Sequence, residues 1–451
     1  MFQTLNIAKN TLTESLRQPV VFIIVFVSGI LQILSVWWSA YSMGYRSEPG
    51  DVTADDKLLF DIGLSTIFVC GMLLAAFIST AVLSREIENK TILTMVSKPL
   101  PRAAVVIGKF LGVSAAMLIA VTVMLTFLML ALRHGVLSTA ADDPDQPVWV
   151  LGMGAVFLSL LISTIGNYLY SWSFPQTAML TLTPLSLAAY IGVLLLSKKW
   201  EVQPIATDFK GQVLIACLAM TAAILVMTAV AIAASTRLGQ VMTIVVCTGV
   251  FILGLLTNYF FGRIAFQNEP IATIAESWPI DPLHDTLTQS GERYGVRLIT
   301  PPEVELARGM QFLYGPSPNG IGTSNDWSPV TPPEEVLEND LFSPDTPRAI
   351  VILEVDDLTL TIRNIGSPPA KVRRPPMPGD YVFAEPTKIN PAAAAIWAVT
   401  PNMHFFWLVD AVSQARSIPL GHLGLIAAYA ACLIVACLGI AVALFQGRDV
   451  G

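Results

Sequence analysis

Charge is what this sequence has least of. Of its 451 residues, 13% are Asp, Glu, Lys or Arg, against about 25% in ordinary soluble domains. Hydrophobic residues make up 54%, and the mean hydropathy is +0.63. A water-soluble fold of this size has no interior large enough to hide that much apolar surface. The net charge of −7 comes with no basic patch, which argues against a nucleic-acid partner. Histidine is scarce as well: His134, His284, His404 and His422 are scattered and form no metal-binding spacing. Asp281, His284 and Asp285, between prolines, read as a solvated turn. The five cysteines (Cys70, Cys217, Cys247, Cys432, Cys437) all fall in apolar stretches and read as small buried residues, neither disulfides nor metal ligands. No Gly-x-x-x-x-Gly-Lys-Ser/Thr loop is present to cradle ATP phosphates, and no Gly-x-Ser-x-Gly elbow carries a nucleophile. The chain holds no cofactor and reads as no enzyme.

What is there, in quantity, is long apolar runs. A helix crossing hydrocarbon needs about 20 mostly apolar residues, and that rule predicts spans near Val20–Tyr41, Ile62–Ser84, Val105–Leu132, Val148–Tyr168, Gln176–Leu196, Val213–Ala234, Leu238–Phe260 and Leu420–Phe445. Trp37, Trp38, Trp149, Trp172 and Trp200 sit at span ends, where amphipathic rings anchor in the headgroup layer. The break at Trp172–Pro175 separates the fourth and fifth spans, or kinks a re-entrant pair. The first apolar core is too long for a signal peptide. Before it, Phe2, Leu5, Ala8, Leu12 and Leu16 recur at helical spacing, as in an amphipathic helix lying on the membrane surface. Few ionisable residues occupy span centres, which disfavours an ion-coupled carrier. Asn167 and Gln176 are left as polar groups for helix–helix hydrogen bonds or for substrate.

Arg85, Lys90, Lys98, Arg102 and Lys109 concentrate between the second and third spans, and Lys9 and Arg17 precede the first. By the positive-inside rule both termini are cytoplasmic; Lys198 and Lys199 run against it. The chain then divides into an interfacial helix (1–19), a bundle of about seven spans containing a loop at 85–104 (20–261), an extracytoplasmic Pro-rich insertion with a pre-span helix (262–419), and a last span with a cytoplasmic tail (420–451). The fold class expected is an all-α polytopic membrane protein of about 6–8 transmembrane helices with some β structure in the insertion. There, Ile350–Val355 and Leu358–Ile362 alternate around Asp356–Asp357 as a hairpin does, Pro302–Leu313 has the spacing of a short helix, and much of the rest reads as irregular chain.

The loop Arg85-Glu-Ile-Glu-Asn-Lys-Thr-Ile-Leu-Thr-Met-Val-Ser-Lys-Pro-Leu-Pro-Arg102 predicts a short amphipathic helix, a proline break and a basic return into the bilayer. On physics alone it is either an ordinary positive loop or a lateral element through which a soluble partner pushes on two spans. The acidic-x-acidic pair, Lys-Thr-Ile, Ser-Lys-Pro-Leu-Pro-Arg and then Gly108-Lys-Phe-Leu-Gly112 resemble the permease subunits of type-2 ABC exporters, with Lys90 in place of the usual Gly. Pro401–Ala411, before the last span, resembles them too. The likeness covers about residues 1–135 and 390–451, weakens across the sixth and seventh spans, and leaves 270–390 as an insertion; the fourth and fifth spans exceed the usual six.

That resemblance implies a coupling loop docking on a separate ABC ATPase subunit, where ATP is bound and hydrolysed. It implies coupling roles for Arg85, Glu86, Glu88, Thr91, Pro99, Arg102 and Lys109, and a permease homodimer or heterodimer in the bilayer of the inner or plasma membrane. The alternative is a membrane-anchored binding or assembly protein acting through its outer module.

Overall fold

The computed structural model describes residues 2–38, 54–84, 101–136, 144–281, 285–302, 304–318, 323–328, 331–338, 342–413 and 418–446. They form two compact units, Met1–Ile252 with Met403–Gly451, and Leu253–Asn402.

The first unit is helical. Among the described residues, eight helices are long and apolar enough to cross a membrane: Pro19–Val36, Lys57–Leu83, Arg102–His134, Gln146–Tyr170, Phe174–Leu195, Gly211–Ser235, Gln240–Ala265 and Leu420–Gln446. They coincide with the eight expected spans, because a continuous apolar run has no competing way to satisfy its backbone in lipid. The second, third and sixth spans are the most buried and make the centre of the bundle. Their contact rests on small residues: a side chain at Gly63 would strike Leu128, and one at Gly71 would meet Ile224 Cδ1 at 2.9 Å. The sixth span buries Ala216, Ala219 and Ala223 on one stripe. Helix association inside a bilayer gains nothing from hydrophobicity, so such close backbone approach supplies the packing energy. The fourth and fifth spans form a tight helical hairpin. Ser171 adopts a left-handed conformation at the turn (φ 55°), and Trp172 folds back so closely that only Gly fits at 166.

The second unit runs from the end of the seventh span into a six-stranded sheet of order β4-β7-β2-β3-β6-β5, every pair antiparallel. Its strands are β2 (Pro270–Pro279), β3 (Arg293–Leu298), β4 (Leu313–Gly315), β5 (Ala349–Asp356), β6 (Thr359–Ile365) and β7 (Tyr381–Phe383). The expected hairpin is present as β5–β6, with Asp356 opposite Thr359 and Asp357 at φ 51°. Alternate residues of β5 feed two cores: Ile350 and Ile352 join Tyr294, Val296, Leu360 and Ile362, while Ala349 and Val351 join Leu337 and Ile365. The helix expected over 302–313 does not form. Gly309 (φ 84°) breaks it, and the segment lies along β5 instead: Gly309 and Phe312 donate their amides to the carbonyls of Ile352 and Ile350 at 2.8 Å. Leu306 and Met310 still reach the core, but from irregular chain with a turn at Arg308–Gly309.

A short ribbon, β1 (Phe266–Gln267) with β8 (Lys388–Ile389), joins the two chain crossings of this unit, Phe266 facing Ile389. After it, Asn390 caps the helix Pro391–Val399 by accepting from the amides of Ala392 and Ala393. Asn258 lies in a π-helical turn, Asn258–Gly262, late in the seventh span. Its Oδ1 accepts from Trp397 Nε1 (3.0 Å) and Asn402 Nδ2 (2.7 Å).

Candidate functional site

At one end of the bundle lie the N-terminus of the third span and the C-termini of the second, sixth and eighth. Every helix leaves its last four carbonyls without an intrahelical donor, and cations are stabilised there. The sequence meets that need with basic residues. Arg102 opens the third span after Pro101, and its Nη1 donates to the carbonyl of Gln446 (2.7 Å), the last described residue of the eighth span. Arg237, in the break between the sixth and seventh spans, donates from Nε to the carbonyl of Leu444 (3.0 Å). The eighth span is thereby tied at its tip to two separate loops.

Lys109 is the most unusual of these residues. It is 2% exposed, and its Nζ donates to the carbonyl of Val82 (3.3 Å). Val82 belongs to a π-helical turn, Thr80–Ser84, that ends the second span. Such turns leave backbone carbonyls poorly partnered and recur at functional positions. Lys109 therefore clamps the last turn before the 85–104 loop to the second turn after it. Arg85, Glu86, Glu88, Thr91 and Pro99 lie outside the described residues; of the expected coupling residues, Arg102 and Lys109 are placed, and both act on helix ends at this one pole.

The helix Phe2–Arg17 packs on the third span at the same pole. It meets that span through Thr4, Ile7, Ala8 and Thr11, and Leu12 and Leu16 of the apolar stripe seen in the sequence also pack on the bundle core. A Cβ on Gly112 would lie 2.5 Å from the Ala8 carbonyl oxygen, and one on Gly108 would lie 2.9 Å from Ile7 Cβ. Thr11, Ser15 and Leu16 are buried, while Leu5 is half exposed beside the exposed polar residues Asn6, Lys9 and Asn10, so the helix turns small and apolar residues to the protein and a mainly polar face outward. Its last residue, Arg17, donates from Nε to Gln176 Oε1 of the fifth span (3.0 Å). Asn167 donates to the Trp172 carbonyl (2.7 Å). Both polar residues left open between packing and substrate are thus engaged in structural bonds.

Sequence reading missed the roles of Arg237 and of the two glycines. The signal was available for the latter: Gly-x-x-x-Gly inside an apolar helix marks a close helix contact.

A family model described as an ABC-2 family transporter protein matches residues 5–287. The chain belongs to this family. It is a permease subunit of an ABC transporter, a multi-pass membrane protein of the type-2 class. The matched region begins in the N-terminal helix and includes the fourth and fifth spans, so these two lie within the family's pattern although they exceed the six spans expected of it. It ends after β2, ahead of the rest of the sheet and the eighth span. No significant match is found among curated proteins or among solved structures.

Proposed function

We propose that this ABC-2 permease works as an exporter in the inner or plasma membrane, driven by an ABC ATPase subunit that docks on the 85–104 loop. The permease forms a homodimer or a heterodimer with a sister permease, and ATP is bound and hydrolysed on the partner. Both termini are cytoplasmic, and the β-rich unit faces the other side. Closure of the ATPase pushes on Arg85, Glu86, Glu88, Thr91 and Pro99, and Arg102 and Lys109 pass the displacement into the spans.

The observation that carries this reading is the clamp at the loop's two roots. Lys109 holds the end of the second span to the third, and Arg102 holds the start of the third span to the tip of the eighth. A force applied to the loop therefore acts on three spans together. Supporting the topology, residues from the N-terminal helix, the fourth–fifth turn, the sixth–seventh break and the chain's last helix share one pole.

The test is a mild-detergent pull-down of the tagged chain from its native membrane. A stoichiometric subunit with a phosphate-binding loop is expected with the wild type, and replacing Glu86 and Glu88 with Lys should release it without loss of membrane insertion. Undiminished recovery of the ATPase with the double variant overturns the docking assignment.

A further inference from the structure

Lys198, one of the two lysines that run against the positive-inside rule, lies beside a second charged centre, at the pole opposite the coupling loop. Arg133, near the C-terminus of the third span and 10% exposed, pairs with Asp145 (2.5 Å), which caps the fourth span, and with Asp208 (3.0 Å), which precedes the sixth. Asp208 also accepts from Gln203. Among the described residues, the carboxylates of Asp145 and Asp208 are both engaged with Arg133.

Beside this hub is a cavity of about 220 Å³, walled by Arg133, His134, Tyr190, Lys198, Asp208 and Lys210. A water takes up about 30 Å³ in the liquid, so the space suits a phosphate group with several waters. Among the described residues, Arg133, Lys198 and Lys210 line it together with one carboxylate, that of Asp208.

His134 also lines a second space, and that one is apolar: Ile33, Val36, Phe127, Val148, Gly152 and Val156 contribute to its walls. The imidazole holds a fixed pose between the two. Trp149 Nε1 is a donor only, so His134 Nε2 accepts from it (3.0 Å) and Nδ1 donates to the Gly135 carbonyl (2.9 Å). Trp149 and Trp200, which donates to Gln146 Oε1 (3.3 Å), mark this pole as the depth of the headgroup layer. A cationic cavity at headgroup depth adjoining an apolar slot between spans matches one kind of ligand in both halves.

We propose that the cavity binds the phosphate of an anionic lipid, with an acyl chain laid in the apolar slot between the first, third and fourth spans. Lys198 and Lys210 supply the charge, and the Arg133 hub fixes the geometry of the wall they stand on. The site gives a role to Lys198, which the loop-charge rule disfavours: it faces a lipid phosphate. It stands independently of the ATPase partner and of the direction of transport.

The test is native mass spectrometry of the full chain in neutral detergent with added dioleoyl-phosphatidylglycerol or dioleoyl-phosphatidylcholine. Each lysine near a headgroup contributes about fivefold to anionic-lipid binding, and two contribute about 30-fold. The wild type is expected to retain phosphatidylglycerol over phosphatidylcholine on that scale, and the Lys198→Gln/Lys210→Gln double variant to lose the preference. Lys199→Gln, exposed and outside the cavity walls, should keep it. Equal retention of the two lipids overturns the proposal, as does a preference unchanged in the double variant. Displacement of phosphatidylglycerol by millimolar inorganic phosphate, at matched ionic strength, overturns the lipid assignment in favour of a free anion.

Discussion

Replacing Gly112 with Ala tests whether the N-terminal helix is clamped to the third span or only rests near it. The added Cβ would sit 2.5 Å from the carbonyl oxygen of Ala8 and 2.5 Å from Thr11 Cβ. Ordinary van der Waals contact begins near 3.4 Å, so the shortfall is 3.4 − 2.5 = 0.9 Å. A backbone oxygen has no rotamer to escape into. The whole helix must move out by nearly that distance, and a gap of 0.5–1 Å forfeits about a quarter to a half of each dispersion contact along the stripe. Overpacking of this kind costs about 1–3 kcal/mol.

The readout is amide hydrogen exchange of residues 2–17 in the purified chain, because local opening reports local stability. With tenfold per 1.4 kcal/mol, exchange there should quicken by about 5–150-fold in Gly112→Ala. Gly108→Ala, where the nearest atom is Ile7 Cβ at 2.9 Å, leaves a shortfall of 3.4 − 2.9 = 0.5 Å and should give a smaller rise. Gly154→Ala, on the fourth span with nothing within 4 Å of its Cβ, should give none. Unchanged exchange in Gly112→Ala, or an effect of Gly154→Ala as large, refutes the clamp.

Two further outcomes follow from the β-rich unit. Burial above all pushes the Tyr314 phenol well up, with Asp380 adding to the shift and Arg374 opposing it. An unfolded tyrosine titrates near about pH 10, so above that pH the unfolded chain sheds a proton that the folded one keeps. Stability is therefore intact below about pH 10 and falls above it by about 1.4 kcal/mol per pH unit for this residue. Thermal midpoints from pH 9 to 11.5 should decline less steeply in Tyr314→Phe, and equal slopes count against the shift. Since Gln267 stands directly opposite Lys388 in the β1–β8 ribbon, replacing residues 268–387 with Asn-Gly should close a tight hairpin and preserve membrane insertion and recovery of the ATPase. Loss of the ATPase on excision would shift the function toward the outer-module reading.

The spans were legible because each is an autonomous signal: about 20 apolar residues decide the matter locally. The sheet was not, for reasons its strands make plain. β5 and β6 are neighbours joined by a two-residue turn and show period-two alternation, so they could be read. β2 begins and ends in proline, β4 and β7 have three residues each, and β7 pairs with a strand more than a hundred residues upstream. Nothing local in Tyr381–Phe383 announces such a partner. Likewise the helical spacing of Leu306, Met310 and Leu313 was real, but Gly309 and the free edge of β5 offered the segment a better use. Pattern reading assigns a face; it does not say whether a nearby strand edge will outbid the helix.

The coupling pole shows the same division at the level of single residues. Arg102 and Lys109 stood out as basic residues flanking a proline break, which is a local pattern. Their acceptors are main-chain carbonyls of Gln446 and Val82, and a carbonyl carries no sequence signature. What the structure adds is the need: the last described turn of the eighth span, ending at Gln446, carries no basic side chain. Carbonyls near a helix end need partners from outside the helix. Arg102, at the start of the third span, and Arg237, in the sixth–seventh break, meet the carbonyls of Gln446 and Leu444, and these bonds hold the eighth span beside the roots of the 85–104 loop.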